Sequence, residues 1–166
     1  GLGWSVDVPL LPGFGTDIET LFDRTCEDWL EAIRKAYRAL EETHGPVVLG
    51  GYSMGGAIAT AVAPELDPDG LILLSPFWRL PFDRPLLRLL SPLLRLVVPR
   101  IHPFRLMNLD MDEVQAEVQE LMPDLDLNAP EVQAELHDLA IPTRVFAELA
   151  ELGRSAFKAA PAVTAP

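Results

Sequence analysis

The 166 residues carry 25 Asp and Glu against 13 Lys and Arg, a formal net charge of −12, and 49% of them are hydrophobic. Such a chain has apolar residues enough for a globular core, and too little clustered positive charge to follow a phosphate backbone, which excludes nucleic acid as a partner. A single cysteine, Cys26, excludes an internal disulfide and leaves no cysteine metal cluster, so a reducing, cytoplasmic setting is expected.

Residues 4–11 (WSVDVPLL) alternate enough to predict a strand, which Pro12-Gly13-Phe14-Gly15 breaks into a loop. Thr25 and Asp28 have the spacing of a capping box at a helix start. Trp29, Ile33, Ala36, Tyr37 and Leu40 then recur at helical spacing, a stripe that reads as core packed against a sheet. Gly45 and Pro46 end this helix. The valine-bearing run 46–52 reads as a buried strand. The small apolar residues from Met54 through Ala57, Ile58, Ala59, Ala61 and Val62 read as a helix that packs tightly on a sheet.

Between that strand and that helix, Gly51-Tyr52-Ser53-Met54-Gly55 fits the pattern GxSxG. The pattern describes a nucleophile elbow, in which the serine occupies a sharp turn and its hydroxyl stands clear of the backbone. Strand and helix nearly touch at such a turn, so Gly51 and Gly55 are expected to be glycine for steric reasons. Met54 N–H, at the positive end of the new helix, is the expected oxyanion donor. A glycine-rich turn carrying an idle serine is the competing reading. After the helix, Leu66-Asp67-Pro68-Asp69-Gly70 is turn chemistry and Leu71–Ser75 another strand, so that strand, helix and strand predict parallel βαβ units.

Three stretches, Pro9–Gly15, Pro46–Gly56 and Leu71–Pro76, match in letters, order and spacing those of a known family. The chain resembles the α/β-hydrolase fold, and within it the branch of esterases, lipases and monoacylglycerol lipases, specifically over residues 1–76 and more vaguely beyond. The resemblance implies an α/β fold, a parallel sheet flanked by helices with an inserted helical lid, of which this chain holds a part. Residues 1–76 would be the core segment with the elbow, 77–140 the cap or lid, and 141–166 a core helix returning to the sheet. The loop at 12–15 would lie near the active-site rim, where Phe14 would meet substrate; a plain turn is the alternative.

From Phe77 onward Arg79, Arg84, Arg88, Arg95, Arg100 and Arg105 stud an apolar region broken by Pro85, Pro92 and Pro99, which predicts short helices. Residues 110–138 hold ten acids and neither Lys nor Arg, with EVQAE at both 113–117 and 131–135. Beside the lid implied by the resemblance stands a second reading, an amphipathic surface that dips into a membrane interface. Ile141-Pro142-Thr143 opens a last helix with Val145, Leu149, Leu152 and Ala156 on one face, ending near Ala159-Ala160-Pro161. Residues 162–166 read as the lead-in to a further strand. The abrupt first and last residues create the expectation of an internal piece of a longer protein, inactive and prone to aggregate by itself, with a gap in its sheet and two unpaired edges.

A serine hydroxyl needs a base within hydrogen-bond reach and an acid to orient that base. His44 sits one strand-length before Ser53, roughly 25 Å away, at the wrong end of the sheet. His102 and His137 fall in the expected lid, His137 on an acidic helix where a solvated role is ordinary. The resemblance therefore places the triad Asp and His outside these residues. The resulting expectation is a serine hydrolase of carboxylic esters, acting on a small lipophilic ester through Ser53 and Met54 N–H and needing neither metal nor cofactor. Other chemistry on the same scaffold (amide, thioester, acyl transfer, haloperoxidation) and a non-catalytic binding relative remain alternatives.

Overall fold

The computed structural model describes residues 3–79, 98–102, 129–138 and 140–166. The chain divides into two compact units, one formed by 1–90 with 144–166 and the other by 91–143.

In the first unit Pro12–Phe14 turn the chain, with Gly13 at φ 84, and a 3₁₀ segment follows over Gly15–Asp23. A side chain at Gly13 would strike Leu21 Cα at 2.7 Å, so the turn packs onto that segment. Helix α1 spans Cys26–Glu41. Its capping box is complete: Thr25 Oγ1 accepts from Asp28 N–H and the Asp28 carboxylate accepts from Thr25 N–H at 2.7 Å. Strand β1 (Val48–Tyr52) leads through Ser53 into helix α2 (Met54–Leu66). Asp67, in the left-handed region that Asp tolerates, ends α2, and β2 (Gly70–Leu74) follows. β1 and β2 pair in parallel, Val48 opposite Gly70 through Tyr52 opposite Leu74, as the βαβ pattern predicts. Helix α4 (Thr143–Ala159) closes the unit with a 3₁₀ turn over Ala160–Ala162.

α2 lies at the centre because it is apolar almost all round: Gly56, Ala57, Ile58, Ala59, Thr60, Val62, Ala63 and Leu66 are buried. It touches β1 and β2 on one side and α1 on another. The stripe on α1, expected to face the sheet, packs instead against α2. Trp29, Leu30 and Tyr37 share one core with Ile58, Val62 and Leu66 and with Leu152 and Ala156 of α4. Around its edge Arg34 bonds Glu27 at 2.6 Å and Glu65 at 2.8 Å, and Arg38 bonds Glu65 at 2.6 Å, so α1 and α2 are also tied by charge.

Four expectations are corrected. Residues 4–11 form no ladder: Val6 and Val8 are 84% and 85% exposed, because the stretch has the alternation of a strand but, among the described residues, no neighbouring strand to bond. β1 is not a buried strand. Its residues alternate between exposed and half-buried, since the helices cover one face and leave Val48, Tyr52, Ile72 and Leu74 open on the other. One sheet edge is not bare, for Leu71 N–H on the outer side of β2 donates to Pro166 O at 3.0 Å, and Thr164 Oγ1 donates to Asp67 Oδ1 at 2.9 Å. Phe77 and Trp78, expected to open the lid, pack on the core, where Trp78 O would lie 2.7 Å from a side chain at Gly153 and Arg79 stacks 5.5 Å over the Phe157 ring.

In the second unit β3 (Arg100–Ile101) pairs antiparallel with β4 (Ile141–Pro142), and helix α3 spans Pro130–Asp138. Thr143 N–H donates to Pro99 O at 3.0 Å. The remainder of the expected lid, with Arg84, Arg88, Arg95, Arg105 and the first EVQAE, lies outside the described residues, and so does most of the segment on which the membrane-surface reading rests. Among the described residues no helix is long and apolar enough to cross a membrane.

The cap yields a pH prediction. The backbone bond from Thr25, then its hydroxyl, hold the Asp28 carboxyl below its ordinary value. A depressed folded-state value contributes stability that is present above the unfolded value and disappears as pH falls through the folded one. Thr25→Ala should cost about 1 kcal/mol at neutral pH. Asp28→Asn should flatten the acid limb of the unfolding midpoint below about pH 4, measured by urea melts; an unchanged limb would assign it to other carboxylates.

Candidate active site

Ser53 joins the carboxyl end of β1 to the first residue of α2 with φ 48 and ψ −112, a region that non-glycine residues adopt only under constraint. The constraint is visible in its neighbours. Ser53 N–H donates to Leu74 O at 2.9 Å, continuing the β1–β2 ladder one residue past β1, and Ser53 O accepts from Ala57 N–H at 3.1 Å as the first bond of α2. Held at both ends, the residue turns from strand to helix within itself. Its side chain makes no capping bond to the helix it precedes, so the hydroxyl of this half-buried residue is not spent on the first turn of α2.

That turn needs backbone contact. A Cβ on Gly51 would collide with the carbonyl of Gly55 and lie 2.5 Å from Gly56 N. The second tight position is Gly56, not Gly55. A Cβ on Gly56 would lie 2.9 Å from Pro76 Cβ and 3.2 Å from Gly51 O, whereas one on Gly55 would meet nothing within 4 Å. The correction has a simple geometry: Gly55 contributes its backbone to the contact with Gly51, while its side-chain direction is open.

Met54 is the first residue of α2, where the helix offers its N–H no intrahelical acceptor. Its N–H stands next to Ser53 at the positive end of the helix dipole. The loop at 11–14 is pinned to the core by Trp29 Nε1–H, which donates to Pro12 O at 3.0 Å, and Phe14 packs against that core.

The chain belongs to the alpha/beta hydrolase family. A family profile described in those words matches residues 2–164. A solved structure from work on LipS and LipT, two metagenome-derived lipolytic enzymes, superposes with a TM-score of 0.55 at 20% identity, over 94% of this chain and 55% of that one. The likeness is one of fold, and the chain spans about half the length of that relative. No curated protein matches.

Three histidines and one cysteine are the other candidate bases or nucleophiles of this hydrolase-family chain. His44 lies beyond the amino end of β1, capped onto α1 through His44 N–H to Leu40 O at 2.8 Å, with its ring 2.8 Å from Thr43 Oγ1. His102 and His137 belong to the second unit. Cys26 is buried at the first position of α1. Burial, and then the carboxylates of Glu151, Glu148 and Glu27, push its thiol up to about 12, so it stays protonated at neutral pH and is no nucleophile. Among the described residues no group of three His, Cys, Asp or Glu is placed to hold a metal ion.

The sequence reading missed Ser75, which follows β2 with φ 45, and the contact of Pro76 with Gly56. The available signal was the serine-proline pair that ends Leu71–Pro76, one of the three stretches that match the family.

Proposed function

We propose that this chain carries the nucleophile of a serine hydrolase acting on carboxylic esters, with acyl glycerols or similar lipophilic esters as its substrate class. The observation that supports the reading most is Ser53 itself, fixed in a constrained turn at the carboxyl end of a parallel strand while its hydroxyl is left out of the helix cap. Carboxyl ends of parallel strands are where α/β proteins place their ligands.

In this reading Ser53 Oγ attacks the ester carbonyl carbon and gives its proton to a histidine base. The carbonyl oxygen takes up the negative charge beside Met54 N–H. Collapse releases the alcohol with that proton and leaves an acyl group on Ser53, which water then removes. Base and orienting acid are assigned to sequence outside these 166 residues, His44 being at the wrong end of β1. The lid assignment for the insertion and its meeting with the acyl chain belong to the same proposal.

The test is covalent labelling with a fluorophosphonate, which requires an activated serine and no knowledge of the substrate. The full-length protein should label and its Ser53→Ala variant should not. A folded full-length protein that never labels would make the elbow vestigial and favour a binding role.

A further inference from the structure

Ser75 stands between two contacts that both bear on Ser53. The group before it, Leu74 C=O, accepts the Ser53 N–H at 2.9 Å. The residue after it, Pro76, abuts the first turn of α2, with its Cβ 2.9 Å and its Cα 3.1 Å from where a Gly56 side chain would begin. Both contacts hold together because the chain bends at Ser75, whose φ is 45. An extended residue there would carry Pro76 along the strand direction and away from α2. A positive φ is unfavourable for an L-residue, so it persists only where the surroundings impose it. The Ser75 side chain itself is exposed.

We propose that Ser75 is a positioning residue for Ser53: its bent, positive-φ backbone keeps Leu74 O on the Ser53 amide and Pro76 on Gly56 at the same time, and so fixes where Ser53 presents its hydroxyl. The proposal rests on the reading of Ser53 as nucleophile. It concerns the backbone at Ser75 and not the hydroxyl, which separates it from substrate contact. Glycine at this position adopts the conformation freely, while a β-branched residue resists it.

The experiment compares Ser75→Gly and Ser75→Val in the full-length protein, by kcat and KM for a p-nitrophenyl ester and by amide exchange at Ser53. Ser75→Gly should keep kcat within about twofold; Ser75→Val should lose about 10–100-fold in kcat with little change in KM. Exchange at Ser53 should quicken in the valine variant and match the parent in the glycine variant. An equal loss in both variants would assign the effect to the hydroxyl and overturn the proposal, as would a valine variant unchanged in kcat and exchange. Should the valine variant fail to fold, Pro76→Gly replaces it: a loss of about tenfold in kcat supports the proposal and an unchanged kcat overturns it. If Ser53→Ala keeps full activity, the nucleophile reading fails alone, and the exchange data still decide whether Ser75 holds the Ser53 amide.

Discussion

Ser53→Ala is expected to lower kcat for ester hydrolysis by about 10⁴-fold or more in the full-length protein, without loss of stability, while Ser53→Gly should be equally inactive and more stable than the parent. In the proposed mechanism the size of the kinetic loss follows from removal of the oxygen that forms the acyl-enzyme; what remains is binding and oxyanion stabilisation. The stability difference follows from φ 48 and ψ −112. Backbone strain of that kind costs about 1–3 kcal/mol. Alanine keeps the Cβ and keeps the strain, so its unfolding midpoint should match the parent. Glycine removes the strain but gains about 0.5–1 kcal/mol of unfolded-state entropy, leaving a net stabilisation of about 1 kcal/mol and a rise in Tm of about 2–4 °C. Steady-state kinetics and thermal melts on the three proteins check both halves. A glycine variant less stable than the alanine one would mean that Ser53 sits there without strain.

What could be read from the residues alone was what local chemistry decides. Thr25 and Asp28 are three positions apart and bond each other, so the start of α1 was visible in two letters. The succession of β1, Ser53, α2 and β2 was visible because each has its own composition and the turn between them its own pattern. Partners were less visible. The stripe on α1 shows that a face is apolar but not what covers it, and α2, apolar all round, offered it a surface before the sheet could. Residues 4–11 have a strand's alternation, yet a strand is defined by a neighbour's hydrogen bonds, and among the described residues none lies beside them. The site shows the same limit: Gly51 and Ser53 were legible from the motif, while the reasons for Gly56 and Ser75 depend on Pro76, beyond the next strand.

Gly51→Ala should destabilise the protein by at least about 3 kcal/mol and remove fluorophosphonate labelling, whereas Gly55→Ala should be neutral or stabilising by up to about 1 kcal/mol. The two glycines frame the same serine, and composition alone treats them alike. A methyl at Gly51 would overlap the Gly55 carbonyl and approach Gly56 N at 2.5 Å, all of them backbone atoms of the first turn of α2. No rotamer change can relieve such a clash, so either β1 or α2 must shift, and a shift of either undoes the Ser53 bonds to Leu74 O and Ala57 N. At Gly55 the methyl enters open space on a helix, where alanine is favoured over glycine. Gly56→Ala should fall between, costing about 1–3 kcal/mol, since Pro76 Cβ lies in its way at 2.9 Å but belongs to a ring at the surface of the turn rather than to the helix. Urea unfolding at matched slopes ranks the three. If Gly55→Ala proved as damaging as Gly51→Ala, strand and helix would have to close on both glycine side-chain directions, and the contact that makes the elbow sharp would not be the one between Gly51 and the backbone of α2.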